Sequence, residues 1–144
     1  MRLRHFGVAL LAGMLVLAGG AAEAKSQAER GAELRALVAT INAKLRRWVK
    51  PTGKCPAGYT ERLATFYWQG TRTANGERFD PDGLTAALRS RAFGQRLHVI
   101  NPHNDRAVTV RHNDFGPATI AWIDLSRGAA KALGMRQSSY VCVR

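Results

Sequence analysis

The sequence predicts a small, mainly β domain that closes as a barrel and follows an N-terminal helix. Three observations support this fold class. After residue 59, apolar and polar residues alternate in short segments, which is typical of half-buried strands. Turn-forming glycine, asparagine, aspartate and proline residues separate these segments. Only one short helical segment follows residue 59, so a barrel is favoured over helices layered on a sheet.

Residues 1–24 read as a secretory leader. Arg2 and Arg4 form a basic head before an apolar stretch from Val8 to Leu17. Ala22-Glu23-Ala24 then offers small residues for cleavage. The apolar stretch is shorter than the roughly 20 residues that a membrane-spanning helix needs, and Lys25, not a lipid-accepting cysteine, follows the cleavage point. We expect an exported, periplasmic or envelope-associated protein that is not a lipoprotein; an uncleaved N-terminal anchor is the alternative.

The charge of the chain indicates which partners it attracts. Its 144 residues include 22 Lys and Arg against 10 Asp and Glu, a formal net charge of +12. Such a length supports one domain of modest core. A chain this basic is attracted to anionic polymers, which for an exported protein are the cell wall or an acidic membrane face. No interleaving of basic and aromatic residues typical of single-strand binding is present, so we expect no nucleic-acid partner.

Residues 25–58 are predicted to form an amphipathic helix over 26–50 and a linker. Apolar residues recur at helical spacing, and basic residues occupy much of the remainder; the apolar positions are Leu34, Leu37, Val38, Ile41, Leu45 and Trp48. Two interpretations remain open. The apolar stripe packs on the following domain, or it lies on an anionic membrane or wall. Proline and glycine residues after position 50 end the helix.

Residues 59–144 form the predicted barrel domain. The pattern predicts strands over 63–68, 96–100, 108–113, 122–126 and 140–143. A short helix is predicted over 127–133, capped by Ser126 at its start and followed by Gly134. Asp124, close to this helix start, is interpreted as a cap for backbone amides.

Cys55 and Cys142 are the two cysteines of the chain. An even number of cysteines in an exported chain predicts a disulfide. It would join the beginning of the barrel domain to its last strand. The histidines His98, His103 and His112 do not form a tight ligand cluster in sequence, so no metal site is predicted.

Two acidic residues stand close to glycine. Glu77 follows Asn75-Gly76, and Asp114 precedes Phe115-Gly116. Glycine lets the backbone turn sharply and leave the acid facing a groove. Two carboxylates from separate loops suit cleavage of a glycosidic bond, in which one carboxyl protonates the leaving oxygen. Carbohydrate cleavage is the leading hypothesis. The alternative is that each acid only bonds the backbone of its turn or faces solvent.

A series of motifs strengthens this hypothesis. In order they are Thr65-Phe66-Tyr67-Trp68, Thr73-Ala74-Asn75-Gly76-Glu77-Arg78-Phe79, Leu84-Thr85-Ala86-Ala87, Phe93-Gly94, Asn113-Asp114, Gly116-Pro117, Ile123-Asp124-Leu125-Ser126 and Ala129-Ala130-Lys131-Ala132-Leu133-Gly134-Met135. Together they resemble the rare lipoprotein A (RlpA-like) family, over residues 63–144.

The resemblance implies a six-stranded double-psi β-barrel of the kind found in expansin-like proteins. It implies a lytic transglycosylase that cleaves peptidoglycan glycan strands stripped of stem peptides. In that reaction the muramic acid C6 hydroxyl, not water, attacks the anomeric carbon and leaves a 1,6-anhydro end. No metal or organic cofactor is implied, and we expect a monomer. The alternative is a non-catalytic, expansin-like module that binds cell-wall glycan.

The resemblance also implies roles for individual residues. Asp114 is the expected general acid and then base. Glu77 is expected to orient the sugar or to stabilise positive charge at the anomeric carbon. Tyr67, Trp68 and Asn75 are candidates for sugar contact.

The sequence departs from the family pattern at two positions. The family has histidine after Leu-Thr-Ala-Ala, where this chain has Leu88, and arginine after Asn-Asp, where this chain has Phe115. Regular strand alternation would put His112 on the same side as Asp114. His112 is therefore a candidate for substrate contact in place of the missing imidazole.

Overall fold

The computed structural model describes the backbone of residues 8–144 and the side-chain surroundings of residues 26–144. The leader predicted over residues 1–24 lies outside the residues whose side chains are described. In chain order the elements are α1 (Val8–Trp48), β1 (Thr60–Tyr67), β2 (Thr85–Leu88), β3 (Arg96–Ile100), β4 (Ala107–Phe115), β5 (Ile123–Ser126), α2 (Arg127–Ala132) and β6 (Ser139–Val143).

The chain divides into two compact units, residues 1–40 and residues 41–144. Helix α1 includes the predicted segment up to Trp48 and extends upstream of it. In the first unit, Leu34 and Leu37 are exposed. Among the described residues, none of the helices has both the length and the apolar character that a membrane crossing requires.

The last turns of α1 belong to the second unit and pack on the barrel. Leu45 is buried against Leu63 and Ala121. The side-chain oxygen of Asn42 accepts a hydrogen bond from the backbone N–H of Ile120 at 2.8 Å. Two residues of the apolar stripe, Ile41 and Leu45, therefore pack on the domain, as one of the two interpretations predicted, whereas Trp48 is exposed.

The six strands form a closed barrel in the order β1-β5-β2-β4-β3-β6, and β6 pairs back with β1. The β1–β5 and β2–β4 pairs are parallel, and the other pairs are antiparallel. Because every strand has a neighbour on both sides, the barrel leaves no unpaired edge. The predicted mainly β, six-stranded barrel is confirmed.

Alternate residues of the strands fill the barrel interior. In β3, Leu97 and Val99 are buried while Arg96 is exposed, which is the alternation that the sequence shows. Strand β2 was not predicted from the pattern because Thr85–Leu88 is short and its last three residues are all buried. Each of the other strands lies within a few residues of its prediction.

Helix α2 begins and ends as predicted. The side-chain oxygen of Ser126 accepts a hydrogen bond from the N–H of Ala129 at 3.2 Å, and Gly134 takes a φ of +68° after the helix. Gly128 donates its N–H to the carbonyl of Pro81 at 2.8 Å. A side chain at Gly128 would overlap the backbone of Asp82, so glycine there permits the close approach of α2 to this loop.

The predicted disulfide is present. Cys55 bonds Cys142, with 5.4 Å between the Cα atoms and 87 residues of sequence separation. Cys142 lies in β6 and is fully buried. The bond ties the linker before β1 to the strand that closes the barrel.

We expect the double variant C55A/C142A to unfold with a free energy about 4–5 kcal/mol lower than the parent, because a cross-link over such a long loop restricts the unfolded chain. Urea denaturation followed by far-UV circular dichroism measures the difference. The parent protein in reducing agent is the matched control and should lose a similar amount. A loss below about 1 kcal/mol in both samples would contradict the prediction.

Candidate active site

The segment Thr73–Glu77 forms a tight loop that lies against the end of β4. The N–H of Gly76 donates to the carbonyl of Thr73 at 2.9 Å, and Gly76 takes a φ of +91°. The Asn75 side-chain oxygen accepts from the Thr73 hydroxyl at 2.6 Å and from the Glu77 N–H at 3.2 Å. The Asn75 N–H donates to the carbonyl of Asn113 at 3.2 Å. The predicted sugar contact Asn75 thus shapes this loop.

The Asp114 side chain is held by three donors. Its Oδ1 accepts from the N–H of Ala74 and from the N–H of Phe115, both at 2.8 Å. Its Oδ2 accepts from the Tyr67 hydroxyl at 3.0 Å. These bonds come from β1, from the 73–77 loop and from β4 itself, so the orientation of the carboxyl is fixed by separate parts of the barrel.

Tyr67 stacks on Phe79, with 4.8 Å between ring centroids and an interplanar angle of 8°. Burial raises the pKa of the Tyr67 hydroxyl above its ordinary value, and the charge of Asp114 adds to this effect. Tyr67 therefore stays protonated and donates its hydrogen bond to Asp114.

Glu77 is held by an ion pair. Its two carboxylate oxygens accept from the Arg111 guanidinium at 2.8 and 2.7 Å, and Oε2 accepts from the Asn113 amide at 3.2 Å. The hydrogen bonds from Arg111, followed by those from Asn113 and Asn75, hold the pKa of Glu77 at about 2. Glu77 is therefore ionised at any physiological pH and cannot serve as a proton donor there.

Glu77 and Asp114 flank the same loop, but their side chains have different partners. Glu77, Arg111 and Asn113 line a cleft of about 370 Å³, and Asp114 is not among the lining residues of this cleft. A single groove shared by Glu77 and Asp114 stays a prediction.

A β-bulge determines which residues of β4 face outward. Ala86 of β2 pairs with His112, but the next residue, Ala87, pairs with Asp114. The extra residue in β4 is Asn113. His112 therefore faces the interior with Ala86, and Asp114 faces outward with Ala87. The expectation that His112 and Asp114 share a side was wrong, because it assumed regular alternation.

His112 is fully buried. One ring nitrogen lies 3.1 Å from the carbonyl oxygen of Ala92 and the other lies 3.0 Å from the carbonyl oxygen of Asp114. Its ring also lies 5.1 Å from that of Phe93. In this position His112 supports the backbone that carries Asp114 and presents no surface to a sugar.

A row of side chains crosses four neighbouring strands on the outer face. Thr65 of β1 pairs with Asp124 of β5, and Asp124 also pairs with Ala87 of β2. Ala87 in turn pairs with Asp114 of β4. Directly paired residues project to the same face. Adjacent strands are about 4.8 Å apart, so the Cα atoms of Asp114 and Asp124 are about 10 Å apart. Ala87 is the residue paired between them, and Tyr67 reaches over the same face to donate its hydroxyl to Asp114. We call the four paired residues the carboxylate row.

The role predicted for Asp124 as a helix cap was wrong, because Ser126 caps α2. The Asp124 carboxylate instead accepts from the Thr65 hydroxyl at 2.8 Å. Burial raises the pKa of Asp124 above its ordinary value of 3.8, and the charge of Asp114 raises it further, whereas the Thr65 hydrogen bond lowers it. Sequence reasoning did not identify Asp124 as a candidate site residue. The signal for it was the position of Asp124 in a strand, where it pairs with Thr65 and Ala87.

The remaining predicted positions lie around this row. Trp68 is about half exposed, and its ring centroid is 6.0 Å from that of Phe66. Leu88, which replaces the family's histidine, faces the core. Phe115, which replaces the family's arginine, is about half exposed and carries the Arg91 guanidinium 5.1 Å above its ring. Arg91 thus places a positive charge close to position 115, where this chain lacks the family's arginine.

Among the residues with described side chains, no acidic, histidine or cysteine cluster is arranged to hold a metal ion.

Comparisons with known proteins place the chain in a family. Residues 60–144 match the family model described as "Lytic transglycolase". The chain is 50% identical over 88 residues to the "Probable endolytic peptidoglycan transglycosylase RlpA" of Nostoc sp., covering 57% of this chain and 24% of that protein. It is 38% identical over 109 residues to the "Endolytic peptidoglycan transglycosylase RlpA" of Campylobacter jejuni, covering 73% and 38% respectively. Among solved structures it is similar to the Streptomyces papain inhibitor, with 21% identity and a TM-score of 0.48, covering 62% of this chain and 96% of that chain.

The closed six-stranded barrel and its matched residues define a protein of the double-psi β-barrel class. Within that class the chain belongs to the lytic transglycolase family, and the RlpA-like resemblance drawn from its motifs is confirmed. The chain spans only about a quarter of the length of the Nostoc relative and 38% of the Campylobacter relative.

We expect the ion pair of Glu77 to stabilise the fold only above acidic pH. A lowered pKa in the folded state means that the stabilisation is present above the ordinary value of 4.5 and is lost as pH falls towards about 2. The variant E77Q should therefore melt at a lower temperature than the parent at pH 6, and this difference should shrink as the pH approaches 2.

Calorimetric melts of the parent, E77Q, R111Q and the double variant test this expectation. In the R111Q background, the further change E77Q should have little effect, because the pair is already broken. A melting difference between the parent and E77Q that persists undiminished at pH 2 would refute the assignment.

Proposed function

We propose that the barrel domain acts on peptidoglycan as a lytic transglycosylase that cleaves glycan strands and leaves 1,6-anhydro ends. The observation that carries this proposal is the carboxylate row, in which Asp114 and Asp124 flank Ala87 on one face. Membership of the lytic transglycolase family supports it, as does the similarity to the Nostoc and Campylobacter proteins, which are named as endolytic peptidoglycan transglycosylases.

The reaction needs one group to give a proton and one to take a proton. The bond between the anomeric carbon and the leaving O4 oxygen breaks, and O4 receives a proton. The C6 hydroxyl of the same sugar forms the new bond to the anomeric carbon and loses its proton. No water is consumed, so the site must position the sugar's own hydroxyl.

We propose that Asp124 holds the proton that O4 receives. A general acid must be protonated when the substrate binds, and burial together with the Asp114 charge raises the pKa of Asp124 in that direction. Asp114 then takes the proton of the C6 hydroxyl, since donors from three parts of the barrel orient its carboxyl. The sequence prediction gave both steps to Asp114, and that single-residue mechanism is the alternative.

Glu77 supplies negative charge rather than a proton. Because it stays ionised, we propose that it orients the sugar and stabilises positive charge that develops at the anomeric carbon. Tyr67 and Asn75 position the groups around Asp114, and the half-exposed Trp68 offers a ring for sugar contact. We propose a positioning role for His112, through the carbonyl of Asp114.

The proposed setting is the cell envelope. We propose that residues 1–24 are removed on export, that residues 25–58 form the helix and linker, and that residues 59–144 act as a monomeric catalytic domain without a cofactor. The net charge, +12 for residues 1–144 and +11 after removal of Arg2, Arg4 and Glu23 with the leader (12 − 2 + 1), favours association with anionic wall polymers.

We expect D114N and D124N each to lower the release of 1,6-anhydro products from stem-peptide-free glycan by at least 100-fold, because general acid and base groups contribute about 100- to 10,000-fold. Mass spectrometry of the products from purified protein measures this release. D105N is the matched control. Asp105 is an exposed acid with a φ of +57°, which asparagine tolerates, and this variant should remain fully active.

The outcomes separate the alternatives. Activity that survives in D124N but not in D114N would favour the mechanism in which Asp114 acts alone. Salt-sensitive binding to sacculi without any anhydro product from the parent would favour the non-catalytic wall-binding module. A new reducing end at the sugar whose anomeric bond is cleaved would contradict attack by the C6 hydroxyl.

A second prediction tests the coupling of the two carboxyls without any substrate. In D114N the nearby negative charge is removed, so the pKa of Asp124 should fall. In T65V a hydrogen bond to the carboxylate is removed, so the pKa of Asp124 should rise. Carboxyl ¹³C chemical shifts followed through a pH titration measure both changes. An Asp124 titration that is the same in the parent and D114N would contradict the division of roles between these acids.

A further inference from the structure

A second concave site lies beside α2. This cleft has a volume of about 630 Å³. Its lining includes four cationic side chains, which are Arg106, Arg127, Lys131 and Arg136, and apolar groups from Phe66 and Met135. We call it the basic cleft. No carboxylate lines it.

Most of the positive charge in the basic cleft is unneutralised. Arg127 forms an ion pair with Asp82, with hydrogen bonds of 2.9 and 2.6 Å. Within the part of the chain whose side chains are described, Arg106, Lys131 and Arg136 form no ion pair. Like charges repel one another in the folded protein, so their convergence on one concavity costs stability unless an anion binds there. A cleft lined by one sign of charge concentrates counter-ions.

The wall of the basic cleft is held rigidly. The side-chain amides of Asn101 and Asn104 both donate to the carbonyl of Leu133, at 2.9 and 3.1 Å. A Cβ atom at Gly134 would lie 2.7 Å from the Asn104 amide nitrogen and 3.4 Å from a guanidinium nitrogen of Arg106. The Arg106 side chain thus lies closely against the turn after α2.

The basic cleft is separate from the carboxylate row. In β1 the side chains of Thr65 and Tyr67 engage Asp124 and Asp114. Phe66 lies between them and projects to the other side of the strand, where it packs on the core and lines the basic cleft. A ligand in this cleft therefore does not occupy the site proposed for glycan cleavage.

The size and lining of the cleft indicate the kind of ligand. Its volume lies in the usual range of about 300–1,000 Å³ for small-molecule sites and exceeds what a lone phosphate fills. Arginine guanidinium groups form paired hydrogen bonds with phosphate oxygens. The half-buried ring of Phe66, with the buried Met135 beside it, offers an apolar surface on which the C–H face of a sugar ring can pack.

We propose that the basic cleft binds a phosphorylated sugar, with the phosphate held by Arg106, Lys131 and Arg136 and the sugar ring packed on Phe66. Such a group occurs in soluble sugar phosphates and in the headgroups of phosphorylated glycolipids. This site does not depend on the proposed glycan cleavage, and it would hold the domain on a phosphorylated surface while leaving the carboxylate row open.

Titration calorimetry with glucosamine 1-phosphate, inorganic phosphate and uncharged glucosamine tests the ligand chemistry. The parent should bind glucosamine 1-phosphate saturably, at least 10-fold more tightly than inorganic phosphate, and glucosamine hardly at all. Equal affinity for inorganic phosphate would overturn the sugar part of the proposal. Absence of saturable binding to either phosphate, with no vesicle binding, would overturn it entirely.

A matched pair of variants tests the location. R106Q/K131Q/R136Q should lose at least 10-fold in affinity, whereas R30Q/R35Q/K54Q removes the same charge from exposed positions elsewhere and should stay within about twofold of the parent. Equal losses in both variants would show attraction by net charge alone and reject the site. All six side chains are exposed, so both variants should fold, which thermal melts check.

Sedimentation with phosphatidylcholine vesicles, with and without a phosphorylated glucosamine lipid, distinguishes the two sources. Binding that requires the phosphorylated lipid and is lost in R106Q/K131Q/R136Q supports a headgroup ligand. Binding of the soluble sugar phosphate alone supports a free metabolite of that class. Equal sedimentation with plain phosphatidylcholine would contradict recognition of the phosphorylated sugar.

Discussion

The extra residue that β4 inserts between His112 and Asp114 is the constraint on which the site depends. It lets β2 pair continuously with β4 while the side-chain alternation of β4 shifts by one position. His112 consequently fills the interior, and Asp114 emerges on the outer face beside Ala87. Without the bulge, Asp114 would face the core with His112, and its carboxyl could not reach the Tyr67 hydroxyl. A local irregularity in one strand thus creates the face on which we propose the active site.

Three acidic residues near this bulge differ in their surroundings, and the differences suit different tasks. Glu77 is exposed and paired with Arg111, which keeps it ionised. Asp124 is shielded from water and lies close to another acid, which raises its pKa. Asp114 accepts bonds from three donors that fix its direction. Acids whose surroundings move their pKa values apart are the usual basis for separating donor and acceptor roles. The division follows from the strand register, not from residue type.

The sequence predicted the barrel because its strands alternate and its turns carry glycine, proline and asparagine. The helix cap at Ser126 and the disulfide also follow from local chemistry. Strand β2 was missed because alanines that fill a crowded barrel wall lack the branched residues typical of strands. His112 and Asp124 were misplaced for a different reason. A bulge and the pairing of Asp124 with Thr65 depend on which strands become neighbours, and local spacing carries no information about that. The motif resemblance selected Asp114 as a candidate because it rests on the order of motifs, not on geometry.

Closure of the barrel also bears on how so small a domain could offer the two sites that we propose. Every strand is paired on both sides, so no edge remains for ligand binding, and recognition must use strand faces and the loops between strands. Strand β1 serves both sites through alternation, since Thr65 and Tyr67 engage the two acids while Phe66 turns to the basic cleft. The cations of the basic cleft belong to other parts of the chain, in α2 and in the segments around residues 106 and 136. We propose that an anionic surface can therefore bind at the basic cleft without covering the carboxyls.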